Sequence, residues 1–204
     1  MQYDITTADA TLARAQTLLR ALSPTVTTAV TQPAALVAML VGDPATAETR
    51  LRLEYQFLDG MGERRYLATT AAKLARAIAA QGQSRYDEAL DLLAISREAA
   101  DGGDLSAQAV GQGLSARILA DRGHHRQAEE LARSAAALEA QADLLSEHAD
   151  TLLDLAHVLI AADRIPEAHE AATQALDLYQ RKGNLPGARE SLRRLSRYPP
   201  PERS

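Results

Sequence analysis

The chain has no cysteine and no tryptophan, and one phenylalanine among 204 residues. Without thiols there is no disulfide framework, no thiolate zinc site and no cysteine nucleophile. With large aromatics scarce, the core has to be built mostly from smaller side chains. No apolar run approaches the ~18 residues of a membrane span, and residues 1–15 lack the basic start and apolar centre of a secretory leader. These absences read as a soluble, cytoplasmic protein without membrane contact. No glycine-rich turn leads into Gly-Lys-Ser or Gly-Lys-Thr, which removes the phosphate-binding loop, and no nucleophile elbow is present. The chain therefore reads as a non-enzyme that holds no cofactor and no metal.

What it has in plenty is alanine and leucine, its two commonest residue types. Both favour helix, and alanine lets helix axes approach closely, so the composition points to an all-α stack. The Thr- and Val-rich stretch at 25–31 has strand character but no second strand to pair with, and it is assigned to the start of a helix. Net charge is −5 and unevenly placed: seven Lys/Arg against two Glu make residues 181–204 +5, leaving −10 elsewhere. This basic tail complements helix C-termini; with only Tyr198 to stack on a base, it does not make a nucleic-acid binder.

The order within this composition is a repeat. A turn residue followed a few positions later by an alanine occurs four times, in Gly42…Ala47, Gly82…Ala89, Gly123…Ala128 and Asp163…Ala168. Successive alanines are separated by 42, 39 and 40 positions, the step of a helical solenoid. Apolar periodicity gives helix pairs at 33–41 and 44–58, 64–81 and 85–100, 106–121 and 126–142, and 146–161 and 166–181. Residues 8–22 form an amphipathic helix before them, and 185–195 a short capping helix after them, with Leu192 and Leu195 facing inward. The predicted organisation is one domain over 1–198, made of a partial repeat 1–31, repeats 32–62, 63–104, 105–144 and 145–184, and a cap 185–196, then a disordered tail 199–204. Leu152, Leu155, Ala156, Leu159 and Ile160 make the stripe meant to meet Ala168, Ala171, Ala172, Ala175, Leu176 and Tyr179. Ala116, Ala128 and Ala156 stand at helix crossings. Gly111-Gln112-Gly113 permits close packing or a slight kink.

These residues resemble tetratricopeptide repeats. The shared elements are a small residue within the first helix (Ala75, Ala116, Ala156), the turn glycine (Gly42, Gly82, Gly123), a bulky residue after it (Tyr86, Ile165) and the alanine of the second helix (Ala89, Ala128, Ala168). The period departs from the standard one of about 34 residues, the first-helix Trp is missing, and Asp163 replaces a turn glycine. The phrases 40–48, 59–64, 85–89 and 178–184 look like the long-period C-terminal repeat region of large bacterial signalling proteins that carry cyclase, ATPase or regulator modules upstream. That resemblance covers residues 8–195. It implies a right-handed superhelix of antiparallel helix pairs, and a chain that is either a terminal fragment or a stand-alone relative of such proteins.

The resemblance also implies a binding surface. In tetratricopeptide arrays the first helices line a concave groove, and the residue after the central alanine points into it. Those residues are Arg76, Arg117 and His157, 41 and 40 positions apart. Stacked, they would offer cations to an acidic peptide or a carboxylate. The alternative is that they pair with neighbours such as Asp121 and Asp150. Asp150, Asp154 and His157 share one helix face with metal-site spacing, but a metal would need matching ligands from a second helix, where only His169 and Glu170 are candidates. The expected function is capture of a polypeptide partner; homodimerisation through alanine-rich faces and sensing of a small molecule are the alternatives.

Overall fold

The computed structural model describes residues 24–100, 105–142 and 144–198, together with 7, 10–12, 14 and 15. The helix expected over 8–22 falls largely outside the described residues, and the break at 101–104 and the tail 199–204 do so entirely. Among the described residues every regular element is helical, and there is no strand. The chain groups into two compact units, residues 1–100 and 101–204. No change of composition in the sequence marks that division.

The first unit contains α1 (Pro24–Leu40), α2 (Pro44–Met61), α3 (Arg64–Ala79) and α4 (Tyr86–Ala99), each packed on the next. Helix α1 starts at Pro24 and takes in the Thr- and Val-rich stretch, with Pro33 inside it. Helix α2 runs beyond its expected end at Leu58, through Gly60, and stops where Gly62 turns left-handed at φ 69°. At its start, Asp43 accepts the Thr46 amide at 3.0 Å and Pro44 takes a first-turn position that lacks a helical acceptor.

The second unit contains α5 (Leu105–Asp121), α6 (His125–Glu139), α7 (Leu145–Ala161), α8 (Ile165–Lys182) and α9 (Leu185–Arg197). Consecutive helices pack on one another, and α7 also touches α5 and α9, so the core of this unit gathers around it. Leu152, Leu155, Ala156 and Leu159 of α7 are buried against the predicted row Ala168, Ala171, Ala172, Ala175 and Tyr179 of α8. The Gly111–Gly113 stretch leaves α5 unbroken. The expectation for α9 is half met: Leu195 packs against the core, whereas Leu192 is 48% exposed and faces outward. The inward positions of α9 are Gly187, Ala188 and Ser191 instead, because Gly187 lies against the ring of Tyr179, where a Cβ would come within 2.5 Å.

The turns explain both the repeat and its irregular step. Gly42, Gly123 and Asp163 have φ of 80°, 84° and 58°, and the amide that follows each bonds back to the preceding helix at 2.9 Å, from Asp43 to Ala38, His124 to Leu119 and Arg164 to Leu159. Asp163 thus does the work of the turn glycine, in a conformation that aspartate tolerates better than most residues. After Gly82 a single 3₁₀ turn, Gln83–Arg85, is inserted before α4. That insertion is why the step from Ala47 to Ala89 is the longest of the three. Measured between the turn positions 42, 82, 123 and 163, the period is an even 40, 41 and 40.

Two alanine rows follow from this register. At one fixed distance before each turn stand Ala35, Ala75, Ala116 and Ala156, with exposures of 2%, 0%, 0% and 0%. At the start of each second helix stand Ala47, Ala89, Ala128 and Ala168, at 0%, 0%, 0% and 2%. A larger side chain at a crossing must force its neighbours apart. Ala116→Leu and Ala156→Leu are each expected to lower the unfolding free energy by about 1–3 kcal/mol in denaturant titrations. Gly123→Ala is expected to cost about 1–2 kcal/mol in the same assay, whereas Asp163→Gly costs nothing.

Candidate partner-binding surface

The residue after each first-helix alanine is Leu36, Arg76, Arg117 or His157, borne by α1, α3, α5 and α7. Leu36 is 58% exposed, and the other three are half-buried. In the first unit Arg76 lies on α3 one turn after Lys73, whose ammonium donates to Gln32 of α1 at 2.6 Å. In the second unit Arg117 and His157 come together, but not as free cations.

Arg117 reaches Asp154 of α7 at 3.3 Å, and that carboxylate is only 1% exposed. Its place is made by Gly113 of α5, where a Cβ would come within 2.6 Å of Asp154 Oδ2. His157 Nε2 lies 2.7 Å from Asp121 Oδ1. Burial and the adjacent Arg117 hold this imidazole below its ordinary pKa, against the opposing pull of Asp121. At neutral pH it is therefore uncharged, with Nε2–H donating to Asp121. Asp150 accepts the hydroxyl of buried Tyr179. Of the two expected acidic partners, Asp121 meets His157, Asp150 holds the tyrosine, and the guanidinium of Arg117 goes to Asp154. The three possible metal ligands Asp150, Asp154 and His157 thus engage Tyr179, Arg117 and Asp121, and among the described residues no group of three His, Asp or Glu is placed to hold a metal.

Sequence reasoning missed two ionic clasps. Arg85 bonds Glu48 at 2.5 Å and Glu88 at 2.5 Å, while Arg52 bonds Glu48 at 2.7 Å and also Glu88. In the second unit Arg164 bonds Glu129 and Glu167, and Arg133 bonds the same two at 2.8 and 3.3 Å. Both clasps obey one rule: Glu and Arg one and five positions after one phase alanine, Arg and Glu four and one before the next. That rule was available in the sequence. The clasps tie successive second helices, α2 to α4 and α6 to α8. Arg85, first among its neighbours, holds the Glu48 carboxyl down to about 2. Glu88, Glu129 and Glu167 are lowered too, chiefly by Arg52, Arg133 and Arg164.

One further acid sits where three helices meet. Glu54 of α2 is 4% exposed; Gln32 of α1 donates to its Oε1 at 3.3 Å and Thr70 of α3 at 3.5 Å, and Oε2 has no hydrogen-bond partner among the described residues. Burial pushes this carboxyl up, against the hydrogen bond from Gln32 and the charge of Lys73. A shallow cleft lies between α7, α8 and α9, walled by Ala156, Ile160, Ala172 and Leu195, with an interior of about 10 Å³, no more than one water molecule needs. Ligand pockets usually run from about 300 to 1,000 Å³. No helix among the described residues is long and apolar enough to cross a membrane.

No protein-family model and no curated protein sequence matches the chain. Its fold is similar to the crystal structure of BtubC (BKLC) from P. vanneervenii, with a TM-score of 0.61 and 16% identity, over 100% of this chain and 97% of that one. At this identity the likeness is one of fold alone.

The two kinds of carboxylate predict opposite pH responses. Glu48 is lowered in the folded state, so its contribution is full above its ordinary 4.5 and is lost as pH falls towards 2. Glu54 is raised, so folding takes up a proton and stability declines as pH rises past the ordinary carboxylate range. Glu54→Gln is expected to raise the unfolding free energy at pH 7 by on the order of 1 kcal/mol and to flatten its decline between acidic and neutral pH, as read by denaturant titrations across pH.

Proposed function

We propose that the chain is a long-period, tetratricopeptide-like stack of antiparallel helix pairs, with the right-handed superhelix that such repeats adopt, and that it captures a polypeptide partner on its first helices. The observation that carries this reading is the contrast between adjacent positions of one register. Ala35, Ala75, Ala116 and Ala156 are buried, and the residue after each, Leu36, Arg76, Arg117 or His157, keeps part of its surface. Two things support a scaffold that binds rather than reacts. The clasps occupy charged groups of the second helices, which leaves the first helices to present side chains. The full-length likeness in fold at low identity fits an architecture whose surface, not its frame, carries the specificity.

The fitting partner is a peptide with carboxylates beside an apolar side chain. In the first unit Leu36 supplies an apolar contact, and Arg76 supplies a guanidinium that binds carboxylates in forked geometry. In the setting that the resemblance implies, such a module would serve a bacterial signalling or regulatory protein, its partner being another polypeptide or another domain of the same one.

Arg76 is the position to test. Reversal at Arg117 would leave buried Asp154 beside a second negative charge and would report on folding. Display selection on the wild-type chain is expected to enrich acidic peptides with an interspersed apolar residue. Their affinity should fall at least about tenfold on Arg76→Glu while helical circular dichroism holds. Peptides that bind the variant equally well would refute the surface.

A further inference from the structure

The last helix carries a face that its repeat register does not explain. Helices α7 and α9 begin one repeat apart, at Leu145 and Leu185, and the buried Thr151 and Ser191 correspond at that offset. On α7 the positions Ala149, Leu152, Leu153 and Ala156 are 0%, 6%, 6% and 0% exposed. On α9 the same positions are Arg189, Leu192, Arg193 and Ser196, and all four are exposed. Leu185 extends the row at 42% exposure, beside Leu192 at 48%.

This face looks towards whatever follows in the stack. On α5, Gly113 receives Asp154 of the next first helix. On α7, the Leu153 carbonyl accepts Arg194 of α9 at 3.0 Å, and Ala156 lines a cleft with Ala168 and Ala172 of α8 and Leu195 of α9. Among the described residues, nothing covers the corresponding face of α9. A terminal helix that merely solvates an array has a polar outer surface. Two half-exposed leucines on one stripe, flanked by Arg189 and Arg193 where α7 has alanine and leucine, form an apolar seam with a basic border, on which Arg193 also pairs with Glu190 of its own helix at 2.5 Å.

We propose that the outer face of α9, formed by Leu185, Arg189, Leu192, Arg193 and Ser196, docks an amphipathic helix of a partner polypeptide whose apolar row is flanked by carboxylates. Stacking of a helix continues the packing already made at the same register of α7, and Arg189 and Arg193 select the sign of its charge. A second copy of this chain using the same face would set arginines against arginines, which disfavours the symmetric dimer. None of the residues of this face is one of those proposed for the first-helix surface.

The probe is a fluorescently labelled amphipathic helical peptide of about 18 residues, with a leucine/alanine row bordered by glutamates, and a twin with lysines in place of the glutamates. In anisotropy titrations against the full chain, the acidic peptide is expected to bind and the lysine twin not to. Leu192→Glu with Arg193→Glu should weaken binding at least about tenfold while the circular dichroism holds, because both side chains are exposed. Arg76→Glu should leave this titration unchanged, which separates it from the first-helix surface. Three outcomes overturn the proposal: equal binding of the two peptides, no binding of either, and sedimentation showing a dimer that Leu192→Glu dissolves.

Discussion

Close approach between helices at alanine is the constraint on which the rest of this structure depends. With no tryptophan, one phenylalanine and, among the described residues, Tyr179 as the single buried aromatic, few large side chains fill wide gaps, so the helices must come near enough for methyl groups to touch. One alanine within each first helix and one at the start of each second helix meet that need in every repeat. Once the backbones are this close, any polar group caught between them needs space and a partner. Gly113 gives space to Asp154, and Arg117 neutralises it. Gly187 likewise gives space to Tyr179, whose hydroxyl finds Asp150.

Small contact residues also limit how much each crossing contributes, since an alanine buries little apolar area. The clasps act where that packing is thinnest. Arg85 and Arg164 each gather two carboxylates, and the geometry is supplied by the turn preceding the next helix. Partly exposed ion pairs contribute modestly on their own, but four groups sharing their bonds hold one another in place. At the four equivalent positions around 101–104 the chain has Leu90, Ala94, His124 and Gln127, with no carboxylate among them.

The helices, their turns and their alanine rows were legible because each rests on local rules: periodic apolar positions, left-handed turn residues, prolines in first turns. Asp163 was read as a departure from the pattern, although its φ makes it the same turn by another residue. Leu192 was misread because periodicity reports which side chains share a face, not whether anything lies opposite. Arg117 and His157 were legible as occupants of one register, and the sequence even offered Asp121 as a partner. The pairing of Arg117 with Asp154 was not, because it depends on the absence of a side chain at Gly113, one helix away. Glu54 gave no signal at all: a glutamate in a charged helix looks solvated until three helices are seen to close over it.

The clasp that joins Glu48, Arg52, Arg85 and Glu88 returns as Glu129, Arg133, Arg164 and Glu167, not one helix pair further along the chain but two. The chain therefore keeps two rulers, a short one for packing, set by the single pair, and one twice as long for charge. Excision or duplication of one pair would keep the register of the alanines and yet strand half of a clasp. Rearrangement in blocks of two pairs would leave both rulers intact, so the natural unit of exchange in this architecture is the double repeat.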